Sequence, residues 1–130
     1  MNEREMITRT KQFALRTMKL VDALPKSVQG RAIGNQLMRS GTSVGANYRA
    51  ACRARSKLEF IAKLGTVEEE ADETAFWLEL IIEGGLLSAE QIRPLGAESI
   101  ELVASTAASK KTASSALARS QIANRKSQIS

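Results

Sequence analysis

The residues with chemistry to offer in this chain are carboxylates and arginines, and they are segregated. Glu68-Glu69-Glu70-Ala71-Asp72-Glu73 places five acids in six positions, a density that serves metal chelation in some helical bundles. Those sites pair their carboxylates with a Glu-x-x-His motif, and this chain has no histidine. Magnesium, held by oxygen ligands alone, is the metal such a run leaves open. The missing histidine also removes the commonest general base, and no acid, base and nucleophile are set out as a catalytic site requires. Gly41-Thr42-Ser43-Val44-Gly45 is glycine-rich, yet it lacks the lysine that follows a phosphate loop and the strand that precedes it. The chain reads as a non-enzyme, with no catalytic residue, cofactor or metal ligand assigned.

The basic residues carry the alternative. Between residues 28 and 55 stand five arginines and no acid; between 58 and 84 stand eight acids and one lysine. Arg31, Arg39, Arg49 and Arg53 fall opposite the apolar arc of one helix, and Arg55, Lys57 and Lys63 follow at its end. Such a surface suits phosphate contacts. Arg31, Arg49, Arg53, Arg55, Lys57 and Lys63 are therefore the candidate nucleic-acid contacts. The bland reading of the same arginines is pairing with the acidic segment that follows them. Arg39 in particular, with Asn47 and Glu68 or Asp72, makes a candidate polar network fixing helix register. One Trp, one Tyr and three Phe, most of them in core phase, do not support base-specific reading.

The elements that would position these groups are helices. Met6, Thr10, Phe13, Thr17, Leu20, Val21 and Leu24 share one face of a first helix, stopped by Pro25. Ser27 is placed to cap a second helix whose apolar arc is Ile33, Leu37, Val44, Tyr48 and Ala51. That arc keeps its phase across Ser40–Gly45, which predicts a continuous helix there. Gly34, Gly41, Gly45 and Cys52 run along its flank. Each helical glycine costs about 1 kcal/mol against alanine, so the line implies close approach of a neighbouring helix. Ser56 and Glu59 have capping-box spacing, as do Ser88 and Gln91, and open the third and fourth helices. The third, with Phe60, Leu64, Val67, Ala71, Ala75, Leu78 and Ile82 inward, closes at Gly84-Gly85. The fourth turns Ile92, Leu95, Ser99, Leu102, Val103 and Thr106 inward, with Pro94 dividing off a short opening turn.

Four amphipathic segments with short connections predict an all-α fold, an antiparallel up-down-up-down four-helix bundle over residues 1–109. Phe76, Trp77, Leu80 and Ile81 leave the end of the third helix apolar nearly all round, and are candidate contacts in a homo-oligomer. Of 19 basic residues, Lys110, Lys111, Arg119, Arg125 and Lys126 lie beyond residue 109, while all 14 acids lie before it. The net charge of +5 thus belongs to residues 110–130, which lose the apolar period and read as a disordered basic tail. A single cysteine excludes an internal disulfide and suits a reducing cytoplasm. The amino-terminal residues alternate charged and apolar side chains, unlike a signal peptide, and no run is long enough to span a bilayer, so no membrane is expected as a partner.

From about Lys11 to Val103 the sequence resembles the 23S ribosomal RNA intervening-sequence proteins of bacteria. The resemblance is carried by RSGTSVGANYRAACRARSKLEFIAKLGTVEEEADETAFWLELIIE, with LVDALP before the second helix and GLLSAEQIRPL before the fourth. It implies a left-handed antiparallel bundle assembled as a ring-like homopentamer. It also implies kinship with the accessory variability determinant of diversity-generating retroelements, a pentamer with a basic surface that works with nucleic acid. The function expected on these grounds is non-enzymatic nucleic-acid binding, RNA before DNA, by basic surfaces repeated around a ring. The alternative is a structural or adaptor oligomer that binds a protein partner.

Overall fold

The computed structural model describes residues 1–129 and contains four helices: α1 (Glu3–Ala23), α2 (Val28–Cys52), α3 (Lys57–Glu83) and α4 (Ala89–Ile129). They pack in sequence as an up-down-up-down bundle, α1 on α2, α2 on α3 and α3 on α4, with a lighter contact closing α4 onto α1.

Buried positions recur at three- and four-residue steps in every helix. Besides Gly30, Ser40 and Gly45 of α2, they are Met6, Thr10, Phe13 and Thr17 in α1; Gly34, Leu37, Gly41, Val44, Tyr48 and Ala51 in α2; Leu64, Val67, Ala71, Thr74, Leu78 and Ile81 in α3; and Ile92, Leu95, Ser99, Leu102 and Thr106 in α4. This is a seven-residue repeat, averaging 3.5 residues per turn, the period of left-handed coiling. A straight helix drifts by about 20° per heptad against that repeat. The drift accounts for one difference from the periodicity reading of α3: Thr74 and Ile81 take the core positions expected for Ala75 and Ile82.

The termini are closed by the expected chemistry. The Asn2, Ser27 and Ser56 side chains accept from Glu5, Gly30 and Glu59 amides. Glu59 reaches back to the Arg55 amide at 3.1 Å. At the start of α4, Ser88 and Gln91 exchange bonds, Gln91 N–H to Ser88 Oγ at 3.3 Å and Ser88 N–H to Gln91 Oε1 at 3.2 Å. Gly85, at φ +69°, ends α3 with its amide bonded to Ile82 O and the Leu86 amide to Ile81 O, a Schellman closure.

α1 and α2 meet through small residues. A Cβ on Gly41 would lie 2.6 Å from both Thr17 Cγ2 and Oγ1, and one on Gly45 would lie 3.3 Å from Thr10 O. The Thr10 and Thr17 hydroxyls are turned back onto Met6 O and Phe13 O, at 2.9 and 2.8 Å, so the seam holds no unsatisfied donor.

Two expectations fail in α4. Pro94 does not divide it: the helix runs through, with only the hydrogen bond that a residue 94 amide would have donated to Glu90 forgone. Residues 110–129 continue the helix rather than forming a disordered tail, while Ser130 lies outside the described residues. The physical reason is twofold. No glycine or proline follows Gly96, and Ala, Lys, Arg, Gln and Leu are good helix formers. The heptad phase also persists to Ala113, which is buried, and Lys110 Nζ pairs with Glu68 of α3 at 2.9 Å.

Candidate nucleic-acid interface

The bundle has two ends. α1 begins, α2 finishes and α3 begins at the same one, and α4, antiparallel to α3, leaves the bundle there as well. Arg49 and Arg53 fall on the last turn and cap of α2, and Arg55 and Lys57 on the turn that follows. All four are exposed, and none has an ion pair among the described residues. Arg49 and Arg53 border a groove of about 580 Å³ between α1 and α2, with Lys11 across from them and Thr10, Ala14, Gly45, Ala46 and Cys52 among its lining. The groove exists because the α1–α2 seam is built from small side chains. Glu3 is the one acid on its border.

Lys63 joins this end half-buried, in the second turn of α3. Arg31 does not join it. Its Nη2 donates to Lys26 O at 3.0 Å near the start of α2, about 27 Å along that helix from Arg49. The sequence stripe of arginines is therefore two separate places, joined only by helix phase.

Arg39 is engaged, as the pairing reading expects, but with other partners. Its Nη1 lies 3.1 Å from Glu70 Oε2, and its Nη2 bonds Glu73. Glu73 also accepts from Trp77 Nε1 at 3.4 Å. The hydrogen bond from Arg39 holds the Glu73 carboxyl below the ordinary carboxylate range, and the reciprocal bond raises Arg39. The expected members Asn47, Glu68 and Asp72 are absent from this network. Asn47 Nδ2 donates to Ser43 O at 2.8 Å, Glu68 pairs with Lys110, and Asp72 is exposed. The cause is helix phase: α3 lies between α2 and α4, with Glu70 and Glu73 on its α2 border and Glu68 and Asp72 on the opposite one.

One functional-looking arginine escaped the sequence reading. Arg9 makes a two-pronged bond to Glu98, Nε at 2.7 Å and Nη2 at 2.6 Å, and also bonds Glu101, tying α1 to α4. Glu98 and Glu101 stand three residues apart on one face of α4, but only the α4–α1 adjacency makes them partners of Arg9.

The apolar candidates divide as well. Phe76 is 50% exposed and meets Trp77 edge-on, centroids 5.2 Å apart at 67°, and Leu80 is half-buried. Ile81 is fully buried in this chain's own core, as a heptad position must be, and is no surface contact. Among the described residues, no group of three or more His, Cys, Asp or Glu is placed to hold a metal ion, the acidic run included. No described helix is long and apolar enough to cross a membrane.

The family model described as 23S rRNA-intervening sequence protein matches residues 2–108, the whole bundle. The chain belongs to the 23S rRNA-intervening sequence protein family. A crystal structure of a protein of unknown function from the S23 ribosomal protein family of Bacteroides thetaiotaomicron is similar, at 33% identity and a TM-score of 0.80, over 85% of this chain and 99% of that one. No match is found among curated proteins. The family match stops at residue 108, so the outer part of α4 extends beyond what this intervening-sequence protein shares with the family model.

Proposed function

We propose that the protein binds nucleic acid without catalysis, RNA in preference to DNA, as a homo-oligomer that repeats its basic bundle end around a ring, a pentamer by the family resemblance. The observation that carries this reading is the division of labour among the arginines. Arg9 and Arg39 are consumed by carboxylates of neighbouring helices, whereas Arg49, Arg53, Arg55 and Lys57 stand exposed together with no ion pair among the described residues. Unpaired cations gathered on one end are what phosphate contacts need, and repetition around an axis adds weak contacts through effective concentration. The scarcity of exposed aromatics argues for backbone contacts over base reading.

A second reading rests on Phe76, Trp77 and Leu80. An exposed Phe76 meeting a half-buried Trp77, beside a half-buried leucine, has the composition of an interface centre, and serves either a second copy of the chain or a protein partner in an adaptor role.

Light scattering with the absorbance ratio recorded separates the two. A particle several times 14.1 kDa that carries nucleic acid, and loses it when Arg49→Gln and Arg53→Gln are introduced, supports the first. A clean oligomer free of nucleic acid that co-purifies with one protein supports the second. A monomer that binds neither overturns both.

A further inference from the structure

Past Leu117, α4 is a structural feature without a role in the bundle. Taken from Ala89, the helix is 41 residues, about 61 Å, against about 40 Å for α3. Ala113 is its last buried residue and Leu117 its last half-buried one, and residues 118–128 are all exposed. A protruding helix with no tertiary contact has nothing to stabilise it but propensity, and so invites a partner.

Its side chains say which kind. Beyond Lys110, which is paired to Glu68, the cations are Lys111, Arg119, Arg125 and Lys126, with no acid among them. On the helical wheel these four fall within an arc of about 120°, directly opposite Ala113 and Leu117, so the stripe faces away from the bundle. All four are exposed, with no ion pair among the described residues. From Lys111 to Lys126 the stripe spans about 22 Å, enough to cross a duplex groove about 12 Å wide.

We infer that this segment is an arm that lies against the sugar–phosphate backbone of double-stranded nucleic acid. The inference rests on the nucleic-acid reading above and deepens it, because the arm leaves the bundle at the end that carries Arg49, Arg53, Arg55 and Lys57. A single strand is the poorer fit, since residues 110–130 contain no aromatic residue on which bases would stack. An anionic lipid surface is also the poorer fit. A helix lying in a membrane interface needs an apolar face opposite its cations, and past Leu117 that face carries Ser120 and Asn124.

The test uses the full chain and a variant with Lys111→Gln, Arg119→Gln, Arg125→Gln and Lys126→Gln, which retains good helix formers throughout. Fluorescence anisotropy measures binding to an RNA duplex, a DNA duplex of the same sequence and the corresponding single strands across a salt series; sedimentation measures binding to phosphatidylserine vesicles. With up to four phosphate contacts, the slope of log K against log salt falls by about 3 to 4 in the variant, and duplex affinity at 100 mM salt drops about tenfold or more. Arg119→Lys with Arg125→Lys keeps the wild-type slope, as a charge effect requires. The RNA and DNA arms show which duplex the backbone contact favours.

Equal slopes in the wild type and the glutamine variant overturn the inference, as does tighter binding to vesicles or single strands than to duplex. Arg49→Gln with Arg53→Gln in the full chain keeps the two readings apart. If those changes abolish binding while the arm variant leaves it intact, the bundle end binds and the arm does not; the reverse result assigns binding to the arm and refutes the bundle end.

Discussion

Gly41→Ala is the sharpest available probe of how this fold is held together, because two effects of known sign oppose each other there. Alanine in place of a mid-helix glycine stabilises by about 1 kcal/mol when nothing is in the way. At Gly41 the added Cβ would lie 2.6 Å from two atoms of Thr17 and 3.0 Å from its Cβ. Thr17 cannot swing aside easily. It is β-branched, fully buried, and bonded through its hydroxyl to Phe13 O at 2.8 Å. Overpacking of this kind costs about 1–3 kcal/mol, and a stiff neighbour puts the cost in the upper half of that range. The net expectation is destabilisation by about 1–2 kcal/mol, a fall in Tm of about 4–7 °C for a chain of this length.

Gly65 has nothing within 4 Å of its built Cβ, so Gly65→Ala supplies the control and gains about 0.5–1 kcal/mol. Calorimetry at one fixed protein concentration, with Thr17→Ala and the Gly41→Ala/Thr17→Ala double variant, closes a cycle. In the double variant the remaining Cβ–Cβ contact relaxes by a few tenths of an ångström, so the two changes compensate by about 1 kcal/mol or more. Should Gly41→Ala stabilise the chain as Gly65→Ala does, the close-approach account of the α1–α2 seam is wrong.

Three further expectations follow from local chemistry. Ser56→Ala removes the side-chain bond to the Glu59 amide and lowers stability by about 1 kcal/mol in urea titration, with the denaturant slope unchanged. Burial beside Cys52 pushes the Tyr48 hydroxyl up to about 12 from its ordinary 10.0. The unfolded chain therefore ionises first, and stability falls as pH rises above 10; the phenolate absorbance of the folded chain rises later than that of the chain in denaturant. Glu73 has the opposite sign. Its folded value is depressed, so its contribution is present above the ordinary 4.5 and is lost as pH falls through the lower folded value. Arg39→Gln flattens the acid limb of the stability curve in that window, and an unchanged limb counts against the pairing.

Helix number, caps and most of the core were legible in the sequence because each depends on neighbours within one or two turns. Ser56 with Glu59 and Ser88 with Gln91 announce their own hydrogen bonds, and the glycine line announces close packing before its neighbour is known. What escaped is what depends on which helices touch. Arg9 looks like a solvent residue until α4 is brought against α1. Glu70 and Glu73 cannot be told from Glu68 and Asp72 until α3 is seen to have α2 on one border and α4 on the other. Ile81 was misplaced by a smaller effect, the tenth of a residue per turn by which coiling departs from a straight helix. The outer part of α4 was misread because the loss of apolar period removes evidence for packing but not for helix. Of the candidate site, the cluster Arg49–Lys57 could be named from sequence. The distance of Arg31 from it, 18 residues up one continuous helix, could also be counted there, but helix phase alone put the two on one stripe.

Charge and mass are distributed unequally once α4 outruns its neighbours. Side chains of residues 1–109 carry as many acids as bases, so the whole excess of +5 rides on the five cations between Lys110 and Lys126, at the end of a single rod. A molecule so built has a permanent dipole along its long axis, and the field of a polyanion exerts a torque on it before contact. The rod beyond residue 109 is about 30 Å long, comparable to the screening length at 0.01 M salt and several times the roughly 8 Å at 0.15 M. In dilute salt the whole rod is turned from a distance; at physiological ionic strength orientation is decided only in the last few ångströms of approach.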